Sequence, residues 1–160
     1  MGLQGGGMTQ DTTLVRAVDP YDWPGLLGLI RRAFAGMEGR IDPPSSLHRL
    51  TSEGLAAADE VWVLGAPAVA CMVLTVRPGR LYLGKLAVEP EWQGRGLGRL
   101  MVARAELRAR ELGLAEVELE TRVELVENHA VFRRLGFVEM GRKAHAGYDR
   151  PTSITFVKAV

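Results

Sequence analysis

Gly94, Gly96 and Gly98 alternate with Arg95 and Leu97 directly after Gln93, where a long run of helix-forming residues begins. Glycine removes side chains where a backbone must turn tightly or meet a ligand. A helix that starts there leaves its first N–H groups without partners inside the helix. Those donors coincide with the positive end of the helix dipole, which makes an anion site suited to a diphosphate. Arg95 and Arg99 add charge beside it. Further along, Glu120 offers a carboxylate able to take a proton, and Tyr82 and Tyr148 offer hydroxyls able to give one. The histidines, His48, His129 and His145, read as an exposed helix residue at 129 and surface or loop residues elsewhere. No His/Cys cluster has metal-ligand spacing, so no metal is expected.

These groups need elements to hold them. Residues 12–18 alternate and read as a first strand. Asp22 before Trp23-Pro24 opens a helix whose Leu26, Leu27, Leu29, Ile30, Ala33 and Phe34 form one broad apolar face and which Gly36 and Gly39 end. Ser45 or Ser46 caps a second helix running to about residue 58. Residues 61–64 and 68–76 read as two strands joined by a tight turn, and residues 80–88 as a third after Pro78-Gly79. The long helix runs from about residue 96 to 112 and is closed by Gly113. Residues 116–121 alternate, with Val117 and Leu119 on one face and Glu118 and Glu120 on the other. A short helix over 128–135 and closing strands over 137–142 and 153–157 complete the chain. The order β-α-α-β-β-β-α-β-α-β-β is neither a plain βαβ repeat nor an all-β pattern, so the class is a mixed α/β sandwich.

Three readings of the glycine loop compete. The simplest is a flexible turn. A dinucleotide loop needs G-x-G-x-x-G; counting from Gly94 or Gly96, the third glycine would fall at Arg99 or Met101, and the spacing fails. A P-loop needs lysine and then Ser or Thr after the last glycine, and Gly98 is followed by Arg99-Leu100. What remains is Gln93-x-x-Gly96-x-Gly98 behind Leu86-Ala87-Val88. It resembles the acyl-CoA-binding motif of the GNAT superfamily of N-acetyltransferases. Glu127-Asn128-His129 through Leu135-Gly136-Phe137 resembles that superfamily's second signature, in which an Asn opens a helix ending in Leu-Gly-Phe. Read alone, Asn128 would be an N-cap and Gly136 a C-terminal glycine with an apolar staple.

The resemblance implies a GNAT fold, a mixed and mostly antiparallel sheet flanked by helices. It implies acetyl-CoA as acyl donor and direct transfer to a primary amine of a small molecule or peptide. The cofactor would be held by Leu86, Ala87, Val88, Gln93, Gly94, Arg95, Gly96, Leu97, Gly98 and Arg99, with Asn128 on the pantetheine arm. The Val88 N–H would stabilise the carbonyl oxygen. Leu119-Glu120-Thr121-Arg122 is similar to the Leu-Glu-x-Arg of the ribosomal-protein alanine acetyltransferases, which makes Glu120 the candidate base; a solvent-facing strand carboxylate is the plain reading. The chain departs from the family at Phe132, where a tyrosine acid is usual. Phe132 can pack against the cofactor but cannot donate a proton, so a regulatory or sensor protein that binds acyl-CoA without efficient catalysis stays open as the alternative.

The length of 160 residues suits one domain, expected over residues 11–160 behind a disordered glycine-rich tail at 1–10. The net charge of +1 gives no general pull toward nucleic acid or anionic membranes. No stretch reaches the ~18 apolar residues of a membrane span. The start lacks a signal-peptide layout, so a cytoplasmic location is expected. Cys71 is the sole cysteine, sits in an apolar strand and reads as inert. Nothing here fixes the acceptor, and a homodimer is left open.

Overall fold

A computed structural model describes residues 13–160, so the tail expected at 1–10 lies outside the described residues. The strands are β1 (Leu14–Arg16), β2 (Glu60–Leu64), β3 (Ala70–Arg77), β4 (Arg80–Val88), β5 (Glu116–Arg122), β6 (Val138–Lys143) and β7 (Ser153–Ala159). The α-helices are α1 (Trp23–Phe34), α2 (Ser52–Ala56), α3 (Leu97–Glu111) and α4 (Val126–Arg134). One seven-stranded sheet has the order β1-β2-β3-β4-β5-β7-β6. Every neighbouring pair is antiparallel except β4 with β5.

The sheet is covered on both faces. Leu26, Leu29 and Ile30 of α1 and Leu55 of α2 pack on Val61, Val63, Cys71 and Ala87. Met101, Val102 and Ala105 of α3 pack on Leu81, Leu83, Val117, Leu119 and Phe156. The helix starts follow local chemistry. Asp22 accepts from the Gly25 N–H at 3.0 Å, and Pro24 occupies the first turn, where its missing donor is harmless. Gly113 at φ 74 lies just past α3 and takes the left-handed turn that stops it.

Several boundaries differ from the sequence expectation, three of them with a bearing on the site. The first strand is Leu14–Arg16, shorter than 12–18. The single helix expected after Ser45 is two pieces. Ser45 caps a 3-10 turn over Ser46–Arg49, then Leu50 and Thr51 are extended, and Thr51 caps α2. A second capping side chain, Thr51, divides the segment expected to be one helix. The third concerns α4, which begins at Val126 rather than 128, so Asn128 lies inside its first turn and is not the N-cap.

The feature that matters for function is where β4 and β5 separate. They pair only at Arg80↔Glu116, Leu81↔Val117 and Tyr82↔Glu118. Beyond that β4 stays with β3 as far as Val88↔Ala70, and β5 stays with β7 as far as Arg122↔Ser153. A bulge marks the parting: Cys71 faces Ala87 but Val73 faces Gly84, so β4 carries one extra residue there. Lys85 sits in the bulge at φ 48, a left-handed conformation that costs about 1–3 kcal/mol for a non-glycine residue. A bulge bends and twists its strand, and here it accompanies the opening of the sheet.

Among the described residues no helix is long and apolar enough to cross a membrane. None of them form a group of three or more His, Cys, Asp or Glu able to hold a metal.

Candidate acyl-transfer site

A cavity of about 470 Å³ opens where β4 and β5 part. One wall is β4, with Tyr82, Gly84, Lys85 and Leu86; another is β5, with Leu119 to Arg122. Asn128 and Phe132 of α4 close one end, and Phe34, Leu47, Leu50 and Leu55 of the α1–α2 region form an apolar side. Residues singled out in the sequence therefore meet in one place, among them Tyr82, Leu86, Glu120, Asn128 and Phe132. Val88, Ala87 and the loop from Gln93 to Arg99 do not line this cavity but continue from the end of β4.

Strand alternation sets which backbone groups face the opening. The Glu89 N–H donates to the Val69 carbonyl at 2.8 Å, which makes Val88 and Ala70 a non-hydrogen-bonded antiparallel pair. The N–H of Val88 therefore points away from β3, toward the side that β5 has left. The Val88 carbonyl on that side accepts from Gln93 Nε2 at 3.0 Å, so Gln93 ties the loop to the strand end.

The glycine loop is shaped by backbone demand. Gly94 and Gly96 sit at φ 80 and 82, and Gly96 is the residue preceding α3. The first intrahelical donor is Leu100, whose N–H reaches Gly96 O at 3.1 Å, so the N–H groups of Leu97, Gly98 and Arg99 have no helical acceptor. A Cβ built on Gly94, Gly96 or Gly98 meets nothing within 4 Å. The space in front of these donors is open. Arg95 lies over the Trp92 ring at 4.7 Å and bonds the Glu91 carbonyl at 3.2 Å.

The proton-transfer candidates separate clearly. Glu120 lines the cavity and is paired with Lys143 Nζ at 2.6 Å. Glu118, expected on the same strand face as Glu120, is buried beside Arg77 and Arg80 at 3.5 and 3.7 Å. Tyr82 lines the cavity; burial, and then the Glu120 charge, push its hydroxyl up to about 12. The Tyr148 hydroxyl instead donates to Asp42 Oδ1 at 2.6 Å. Phe132 packs against Phe137 and Phe156 with ring centroids 6.0 and 6.2 Å apart. The Cys71 thiol is buried and pushed up to about 12 by that burial, in keeping with an inert core residue.

Sequence reasoning misplaced one histidine and missed a lysine. His129 is not exposed: it is 6% accessible and its Nε2 meets the Arg122 carbonyl at 2.9 Å. The i,i+3 step to Phe132 puts it on the packed face of α4. His145 is the exposed loop residue expected, and it also lines the cavity, with Nδ1 bonded to Thr152 Oγ1. Partial burial, with Arg122 nearby, lowers its pKa. Lys85 also lines the cavity, and only the bulge register shows it. The Thr121 hydroxyl is buried without a partner among the described residues.

Ionic contacts fasten residues 40–44 across the site. Arg40 pairs with Glu127 at 2.6 Å, Arg150 with Asp42 at 3.0 Å, and Arg122 donates to the Pro43 and Pro44 carbonyls at 2.5 and 3.3 Å. These contacts join segments some 80 to 110 residues apart, and no local motif announces them.

Comparison with known proteins bears on the family and the fold. The model of the family described as Acetyltransferase (GNAT) family matches residues 26–137. A curated Aminoglycoside N(6')-acetyltransferase type 1 from Stenotrophomonas maltophilia is 42% identical over 55 residues, 34% of this chain and 36% of that protein. The match thus spans about a third of that relative's length. Among solved structures, the ribosomal-protein-S18-alanine N-acetyltransferase from Escherichia coli superposes with a TM-score of 0.71 at 21% identity over 92% of both chains. A GNAT family acetyltransferase from Elizabethkingia anophelis with acetyl-CoA bound gives 0.68 at 14% identity, over 92% of this chain and 97% of that one.

Proposed function

The chain belongs to the GNAT acetyltransferase family, and from that premise we propose that it is an acetyl-CoA-dependent N-acetyltransferase. It moves the acetyl group directly to a primary amine of a small molecule or peptide. One observation carries the reading. The parting of β4 and β5 leaves the backbone donor of Val88 facing an opening that runs into a cavity lined by Glu120, Asn128 and Phe132.

The residues fit the donor. The open space before Gly94, Gly96 and Gly98 admits a diphosphate against the N–H groups of Leu97, Gly98 and Arg99, flanked by Arg95 and Arg99. Gln93 has its backbone N–H on Pro90 O and its side chain on Val88 O, so it positions the loop. Leu86 and Ala87 supply strand backbone, the Asn128 amide holds the pantetheine arm, and the Phe132 ring packs beside it. Bound acetyl-CoA supplies the activated acetyl thioester.

The chain's own residues do the rest. Glu120 accepts a proton from the incoming ammonium, directly or through water, since only the neutral amine attacks. The Val88 N–H donates to the carbonyl oxygen as it gains charge. Tyr82, kept protonated well above neutral pH, gives a proton to the departing thiolate, a role Phe132 cannot fill. Lys143 holds the Glu120 carboxylate in place.

Phe132 in the usual tyrosine position favours a second reading, an acyl-CoA-binding regulatory or sensor module without efficient catalysis. Both readings require acetyl-CoA to bind, and calorimetry tests that requirement. One acetyl-CoA per chain is expected, weakened about fivefold in Asn128→Ala by loss of a ~1 kcal/mol hydrogen bond. Absence of binding to the folded wild type contradicts both.

A further inference from the structure

Besides Tyr82, the cavity is lined by Glu120, Arg122, His145 and Lys85 as titratable side chains, and three of these four already have partners. Glu120 is paired with Lys143 at 2.6 Å. Arg122 gives its guanidinium to the Pro43 and Pro44 carbonyls at 2.5 and 3.3 Å. His145 is bonded to Thr152. The Lys85 ammonium has no hydrogen-bond or ion-pair partner among the described residues, and burial is what lowers its pKa.

Two unfavourable features coincide at this residue. Its backbone is left-handed at φ 48, a place where glycine or asparagine is easier to accommodate. Its ammonium is removed from much of the solvent without a counter-charge, which is costly unless something pairs with it. Strain and an unmatched charge at one cavity-lining position point to a ligand that completes the pair.

We propose that Lys85 binds a carboxylate carried by the substrate that fills this cavity. The inference rests on the acyl-transfer reading. With Glu120 as the base for an ammonium and Lys85 as the free cation, the cavity offers complementary charges to a zwitterion. A singly charged anion suits one unpaired ammonium; a phosphate dianion would leave charge unmatched. The carboxylate has two sources. It belongs either to the acceptor, as in an amino acid or a peptide with a free carboxylate, or to a dicarboxylic acyl chain on the thioester.

Calorimetry with two arms distinguishes the sources. In the first, wild type saturated with CoA is titrated with α-amino acids and dipeptides and with their carboxamides. In the second, acetyl-CoA is compared with succinyl-CoA. In wild type, the carboxylate form in one arm should bind at least about tenfold tighter. That preference should fall within about threefold in Lys85→Met and persist in Lys85→Arg. Lys85→Gly, which suits the left-handed backbone, is a second charge-removing variant should methionine disturb the bulge. Equal binding of both forms in both arms overturns the proposal. So does a preference that survives in folded Lys85→Met and Lys85→Gly. Failure of acetyl-CoA to bind wild type defeats the acyl-transfer reading itself. Acetyl-CoA binding without a carboxylate preference defeats only the role of Lys85.

Discussion

Replacing Gly98 with valine is expected to abolish tight CoA binding while leaving the fold intact. Gly98 lies in the first turn of α3, and a Cβ there meets nothing within 4 Å. Cβ atoms on a helix tilt toward its N-terminus, so the added methyl groups enter the space addressed by the free N–H groups of Leu97, Gly98 and Arg99. A diphosphate oxygen needs about 2.9 Å from those nitrogens, whereas a methyl carbon keeps neighbours about 3.5–4 Å away. Losing two charge-assisted hydrogen bonds at about 1.5–3 kcal/mol each removes at least about 3 kcal/mol, more than a hundredfold in Kd. Folding should not suffer, because valine is a few tenths of a kcal/mol better than glycine inside a helix. Gly96→Val is a poorer probe, since φ 82 strains any side chain there. The assay is calorimetric titration with CoA, with thermal melting as the folding control. A folded Gly98→Val protein whose Kd stays within about threefold of wild type would refute the reasoning, because more than a hundredfold is expected.

Glu120→Gln should bind acetyl-CoA normally yet lose roughly 10²-fold or more in kcat/KM at pH 7. Part of that loss should return at higher pH, where more acceptor amine is already neutral; an unchanged profile assigns the proton elsewhere, with His145 the next residue to test. Tyr82→Phe should slow turnover by about 10²-fold if its hydroxyl protonates the thiolate. Phe132→Tyr should then add less than that factor, and the two rates are read by thiol release. Glu60 is buried and bonded to Arg108 at 2.7 Å and to Trp62 Nε1 at 2.9 Å. Burial pushes its pKa up, but the bonds from Arg108 and Trp62 outweigh it and the net shift is down. Its stabilisation is therefore present above the ordinary value of 4.5 and lost as pH falls through the lower folded value. Because Arg108 keeps 23% of its side chain in water, Glu60→Gln should cost about 2 kcal/mol, a Tm drop of roughly 4–8 °C. The Tm gap between variant and wild type should narrow on acidification.

The parts of the site that were legible in the sequence are those set by local backbone chemistry. Glycines at 94 and 96 take left-handed angles that side chains resist, and Asp22 with Pro24 fixes the start of α1 without tertiary help. The cavity was not legible, because it depends on register between strands. The extra residue opposite Cys71–Val73 that puts Lys85 in the cavity wall is invisible until β3 and β4 are aligned. A serine cap at 45 or 46 reads as opening one helix that runs to about residue 58, because Thr51 as a second cap carries no apolar signal. His129 was misread because a polar residue at a buried helical position looks exposed until its partner, the Arg122 carbonyl, is known. The ties from Asp42 to Tyr148 and Arg150 span more than a hundred residues and lie beyond any local pattern.

The most direct test of the account is amine-dependent thiol release from acetyl-CoA. Purified protein is supplied with aminoglycosides, polyamines, amino acids and peptides with free N-termini, and free thiol and acetylated product are measured together. The account predicts that at least one amine raises thiol release far above the amine-free rate, with one acetylated amine formed per thiol. A protein that binds acetyl-CoA yet releases no thiol above background with any of these amines would contradict it and leave a binding module in its place.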